Sequence, residues 1–110
     1  MKAKNFIQED LIIQVGVGAT YTIGSDSYPY YVSEVLPGGV IGLYEPGSHF
    51  ENSWADGDMK VDDFDASHHT EVYIKRRYGK WWRVTKDGTP IEHFVRLRFG
   101  HAYSYRDPSF

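Results

Sequence analysis

The sequence contains no cysteine, which excludes disulfides and cysteine-based zinc sites and argues against a small secreted domain held together by staples. It has no apolar run approaching the ~20 residues that span a bilayer as a helix. Its opening, MKAKNFIQEDLIIQVGVG, lacks the long apolar stretch and small-residue cleavage site of a signal peptide. A soluble, intracellular protein with no membrane partner is expected. Helical periodicity is also scarce. Residues 5–14 have room for one or two turns, and no other segment repeats its apolar residues at helical spacing. No serine sits in a G-x-S-x-G nucleophile elbow, and no assembled set of nucleophile, base and orienting group is evident, so a non-catalytic protein is expected.

What is abundant is aromatic. Nine Tyr, six Phe and three Trp make up 16% of the 110 residues, and these residues favour strands and binding surfaces. The length fits one domain, residues 1–110. Hydrophobic content of 41% and charged content of 25% are those of a folded chain. A net charge of −3 hides an asymmetry: residues 1–70 hold eleven acids and three bases, residues 71–110 four acids and nine bases. The basic part is suited to an anionic ligand or to an acidic patch on a second copy, so a homo-oligomer is expected.

Residues 19–23 alternate as a half-buried strand does, and Gly24-Ser25-Asp26-Ser27 marks a turn. Residues 28–35 and 40–44 are β-prone and flank the turn Leu36-Pro37-Gly38-Gly39. Residues 45–69 carry many acids and no sustained period, which predicts a long acidic loop or arm. Residues 70–77 and 80–85 read as a hairpin closed by Tyr78-Gly79, and Asp87-Gly88 is a strong turn signal before a third strand over residues 91–99. The expected fold is all-β: about six antiparallel strands in a small SH3-like barrel or a curled sheet, with one long acidic loop.

Period-two alternation puts Phe94, Arg96 and Arg98 on one face of the last strand, Tyr73, Lys75 and Arg77 on one face of the first, and Arg83 in phase with Trp81. If those faces coincide, the sheet offers Tyr73, Arg77, Trp81, Arg83, Phe94, Arg96 and Arg98 together. Guanidinium groups grip phosphate or carboxylate in fork geometry, and aromatic faces stack on bases. A solvated sheet face is the plain alternative. In the loop, Asp56, Asp58, Asp62, Asp63 and Asp65 precede His68 and His69, but their spacing matches no known cation loop, so neither metal nor cofactor is expected. His93 falls on the apolar face of its strand and reads as a core histidine, whereas His101 follows Gly100 and reads as exposed. Val15-Gly16-Val17-Gly18 imitates part of a dinucleotide fingerprint. The third glycine and the helix are missing, so a tight bend entering the sheet is expected instead.

Two stretches together resemble a group of small proteins encoded by tailed bacteriophages. They are the block from Val15 through Gly18-Ala19-Thr20 and Gly24-Ser25-Asp26 to Glu34-Val35, and the ending Phe99-Gly100 with Tyr105-Arg106-Asp107-Pro108-Ser109-Phe110. The resemblance implies an accessory role in the cytoplasm of an infected bacterial host and brings no catalytic residue with it. The expected function is a phage-encoded binding protein that sequesters a nucleotide-derived immune signal of the host. The alternatives are a module or inhibitor that engages a host defence protein through an aromatic groove or the acidic loop, a single-strand binder, and a small virion component. The aromatic, proline-stiffened ending is expected to fold back near the GSDSYPYY turn and close a pocket or a subunit interface.

Overall fold

The computed structural model describes residues 6–8, 11–49 and 58–105. These residues form an all-β, antiparallel architecture with no helix. The strands are β1 (Phe6–Gln8), β2 (Leu11–Ile13), β3 (Gly18–Ile23), β4 (Asp26–Leu36), β5 (Val40–Tyr44), β6 (Ser48–His49), β7 (Asp58–Val61), β8 (Val72–Arg77), β9 (Lys80–Val84), β10 (Pro90–Val95), β11 (Leu97–Phe99) and β12 (Ser104–Tyr105). Within residues 5–14, which had room for a helical turn, the described residues 6–8 and 11–13 instead form the paired strands β1 and β2. The other ten strands form one curled sheet in the order β10-β9-β8-β5-β4-β12-β7-β6, with β3 between β4 and β11. Among the described residues no helix is long and apolar enough to cross a membrane.

Of the two expected shapes, the curled sheet is the one observed. The single strand predicted over residues 91–99 is broken into two at Arg96. Its first part pairs with β9 (Phe94 with Trp82, Val95 with Trp81), and its second part pairs with β3 (Leu97 with Tyr21, Phe99 with Ala19). One run of chain thus passes from one edge of the sheet to the other, and the Thr22 amide donates to the Arg96 carbonyl at 3.1 Å. The Tyr78-Gly79 turn is present with positive φ at both residues, 52° and 73°, which suits the right-handed twist of a two-residue hairpin.

Register decides which side chains reach the concave face. Val35, Ile41, Ile74 and Arg83 lie across neighbouring strands, as do Val32, Leu43 and Val72. The core cluster is built from Ile13, Val32, Val35, Ile41, Leu43, Ile74 and Trp81, with Val17, Tyr30, Val95, Leu97 and Phe99 against it. A bulge between Val32 and Glu34 turns Glu34 to the convex face, opposite Gly42 and Tyr73. Glu34 is only 9% exposed there, and its carboxylate accepts from the Thr70 hydroxyl at 2.6 Å and the Tyr73 hydroxyl at 3.0 Å. A buried carboxylate needs such donors to offset its lost hydration.

The expected acidic loop is partly sheet. β6 pairs with β7, and β7 pairs in turn with β12. Beyond β7 the chain covers aromatic rings. Phe64 meets Tyr31 edge-on at 5.8 Å, and His68 lies flat on Tyr44 at 4.5 Å and 2°. The Asp65 amide donates to the Tyr44 hydroxyl at 2.7 Å, while the Asp65 carboxylate accepts from the Ser67 amide and hydroxyl, which hold it below the usual carboxylate range.

Burial pushes the hydroxyls of Tyr30, Tyr31, Tyr44 and Tyr73 above the ordinary tyrosine value, and for Tyr73 the bond to Glu34 adds to it. Below a pH of about 10 these groups are neutral in both folded and unfolded chains, so their contribution is intact. Above it the unfolded chain releases its protons first, and stability falls as pH rises through the folded values. A titration followed at 295 nm should show a late tyrosine phase that coincides with loss of the sheet signal. A single early phase with the sheet intact would contradict it.

Candidate functional site

The seven residues predicted to share one face are divided between two. The alternation within each strand is as expected, but pairing places Arg76 opposite Trp81, Ile74 opposite Arg83 and Lys75 opposite Trp82. Trp81 and Arg83 therefore belong to the concave side, while Tyr73, Arg77, Phe94, Arg96 and Arg98 belong to the convex one. Trp81 is 3% exposed and packs on Phe99 at 5.0 Å, so no stacking platform is available there. Arg83 lines a small concave cavity of about 80 Å³ with Tyr21, Tyr30, Leu43 and Leu97. Tyr73 is engaged with Glu34. Arg77 stands at the hairpin end, its guanidinium 5.6 Å from the Tyr78 ring. Phe94 is 45% exposed, beneath the Lys80 ammonium at 4.1 Å and beside Trp82. The side chain of His93, and all of Asp56, lie outside the described residues.

Arg96 and Arg98 do share a site. They line an open groove of about 810 Å³ together with Thr20, Thr22, Leu97, Phe99, Gly100, His101 and Tyr103. Its floor is β3: Arg98 pairs directly with Thr20, and Thr22 neighbours Arg96. Its far wall is the segment that carries the chain from β11 to β12. That strap is tied to β3 by three hydrogen bonds. The Gly100 amide donates to the Gly18 carbonyl at 2.8 Å, the Thr20 hydroxyl donates to the His101 carbonyl at 2.6 Å, and the Tyr103 amide donates to the Thr20 hydroxyl at 3.1 Å. The strap then enters the sheet at β12, where Tyr105 pairs with Ser27 of the GSDSYPYY turn. Residues 106–110 of the expected fold-back lie outside the described residues.

Alternation along the strap sorts its side chains. Ala102 and Ser104 are buried, whereas His101 and Tyr103 face outward and Tyr105 is half-buried. The His101 and Tyr103 rings are inclined by 27° with centroids 6.3 Å apart, and Tyr103 and Tyr105 by 15°, also at 6.3 Å. A row of aromatic rings thus runs alongside two guanidinium groups, with threonine hydroxyls between. Among the described residues neither Arg96 nor Arg98 makes an ion pair. Both retain donors for an oxyanion, which the fork of a guanidinium meets in two parallel bonds.

Of the groove's residues, the sequence pattern pointed to Arg96 and Arg98 and missed Thr20, Thr22 and Tyr103 as binding residues, while His101 was read only as exposed. The available signal was the strict alternation in His101-Ala102-Tyr103-Ser104-Tyr105, a strand pattern at a chain end. Among the described residues no group of three or more His, Asp or Glu is placed to hold a metal ion. No family model matches the chain, and neither a curated protein nor a solved structure matches it.

Proposed function

We propose that the protein is a non-catalytic binder of a small anionic ligand that carries a planar ring, of the nucleotide class. One observation carries this reading: a single open groove sets Arg96 and Arg98 against the His101 and Tyr103 rings. The guanidinium groups take the phosphate, the rings stack on the base, and the threonine hydroxyls between them reach the sugar or phosphate oxygens. The likeness of the two end segments to tailed-phage proteins supports a role in the cytoplasm of an infected bacterium, where the captured ligand is a nucleotide-derived immune signal. A homo-oligomer fits the opposed charges of the two parts of the chain.

Native mass spectrometry with nucleotides, cyclic oligonucleotides, ADP-ribose derivatives and short DNA tests this directly. A complex of defined stoichiometry is expected, weakened about tenfold or more by Arg98→Gln and unchanged by Arg77→Gln. A folded protein that ignores the whole panel would end this reading. It would favour a protein partner, for which exposed Ile91 and Phe94 beside Lys80 are the supporting surface.

A further inference from the structure

Taking the nucleotide-binding reading as its basis, we infer that the groove accommodates two successive nucleotides of a single strand, laid along β3, rather than one mononucleotide. The inference comes from spacing. Residues two apart on an antiparallel strand are about 6.8 Å apart, so Arg96 and Arg98 repeat at that interval. On the strap that leads from β11 into β12, the His101, Tyr103 and Tyr105 rings repeat at 6.3 Å. Stacked bases rise about 3.4 Å per step, so a strand in which protein rings alternate with bases repeats at about twice that value. The cationic and aromatic tracks therefore share one period, and it is the period of a strand opened to admit a ring between bases.

Register aligns the two tracks as well as their spacing. Thr20 pairs with Arg98 and bonds both the His101 carbonyl and the Tyr103 amide, which puts Arg98 on the same rung as the His101–Tyr103 interval. Thr22 neighbours Arg96 and pairs with Ser27 of β4, which pairs with Tyr105, so Arg96, Thr22, Ser27 and Tyr105 lie on one rung. Each rung offers one guanidinium for a phosphate and one threonine hydroxyl; the first sets them beside the His101–Tyr103 interval, and the second sets them on the row that ends, beyond β4, at the Tyr105 ring. The Tyr44–His68 pair supplies the contrast within the same molecule: at 4.5 Å and 2° those rings are in closed contact and leave no width for a base. The first repeat lies in the groove itself, and the second leads along the strap toward β12.

The test is a length series on the full chain: thymidine 5′-phosphate, the 5′-phosphorylated dinucleotide, trinucleotide and hexanucleotide, by calorimetry. The dinucleotide is expected to bind about tenfold or more tighter than the mononucleotide, since each stacked base and its phosphate add on that scale, and longer strands should add no more than about threefold. Arg96→Gln should weaken the mononucleotide and weaken the dinucleotide about tenfold more, removing the dinucleotide's advantage, because Arg98 is left to hold a single phosphate. Tyr103→Leu, which keeps apolar volume on the strap, should weaken both ligands. Equal affinity for mono- and dinucleotide overturns the two-rung site and leaves the nucleotide-binding reading standing. A gain that continues undiminished to the hexanucleotide overturns the limit of two. No binding by any member, with the fold intact by circular dichroism, overturns both.

Discussion

Gly18→Ala should lower stability by about 1–3 kcal/mol, the usual cost of forcing volume into packed space, and should abolish ligand capture in the groove. A Cβ on Gly18 would lie 2.5 Å from the Ala102 amide nitrogen, 3.0 Å from the His101 carbonyl carbon and 3.1 Å from the Ala102 Cβ. Two of those atoms are backbone, so no rotamer change relieves the contact, and the strap itself must move. The strap carries His101 and Tyr103, and it is fastened beside Gly18 by the Gly100 amide. The second glycine of the Val15-Gly16-Val17-Gly18 run therefore serves close approach, while Gly16, at φ 94°, serves the turn that leads into β3. Thr20→Val offers a gentler version of the same perturbation, because it removes two of the strap's ties without adding volume. Denaturant midpoints and nucleotide affinities for the two variants should fall together, more for Gly18→Ala. A Gly18→Ala protein with unaltered midpoint and affinity would show that the strap has no fixed seat on β3.

The sequence carried the fold class because local rules were obeyed locally. The Tyr78-Gly79 and Asp87-Gly88 turns formed where they were expected, the Asp87 carboxylate accepting from Thr85 and from the Thr89 amide and hydroxyl. Alternation within β8, β9 and residues 94–99 was read in the correct phase. What alternation cannot express is which face of one strand joins which face of the next. That depends on register, since a shift of one residue exchanges the two faces, and here it sent Trp81 and Arg83 to the concave side while leaving Arg96 and Arg98 on the convex one. The break at Arg96 was equally invisible, because a run that changes partners midway keeps its own periodicity. The aromatic wall of the groove comes from His101 and Tyr103, and only the pairing of the following β12 with β4 and β7 makes a surface of what reads as a tail.

Trp81→Ala separates the two roles that were open to this residue. If Trp81 were a stacking platform, its removal would cost affinity and little stability. The structure places it at 3% exposure in the central cluster, tilted against Phe99 at 5.0 Å and covered by the Arg76 guanidinium at 5.6 Å. Truncating a buried tryptophan removes its transfer free energy and leaves a cavity that neighbours fill only in part, at a cost of about 3–5 kcal/mol. Domains of this size are stable by about 5–15 kcal/mol in total, so Trp81→Ala should unfold a large share of the protein or bring its denaturant midpoint down steeply. Trp81→Phe, which keeps a ring against Phe99, should cost less. Phe94→Ala, at a position nearly half exposed, should cost about 1 kcal/mol or less. Urea unfolding followed by circular dichroism orders the three variants. A Trp81→Ala protein as stable as the parent but deaf to nucleotide would reverse the assignment. It would return Trp81 to the binding surface, which the register between β8 and β9 denies it.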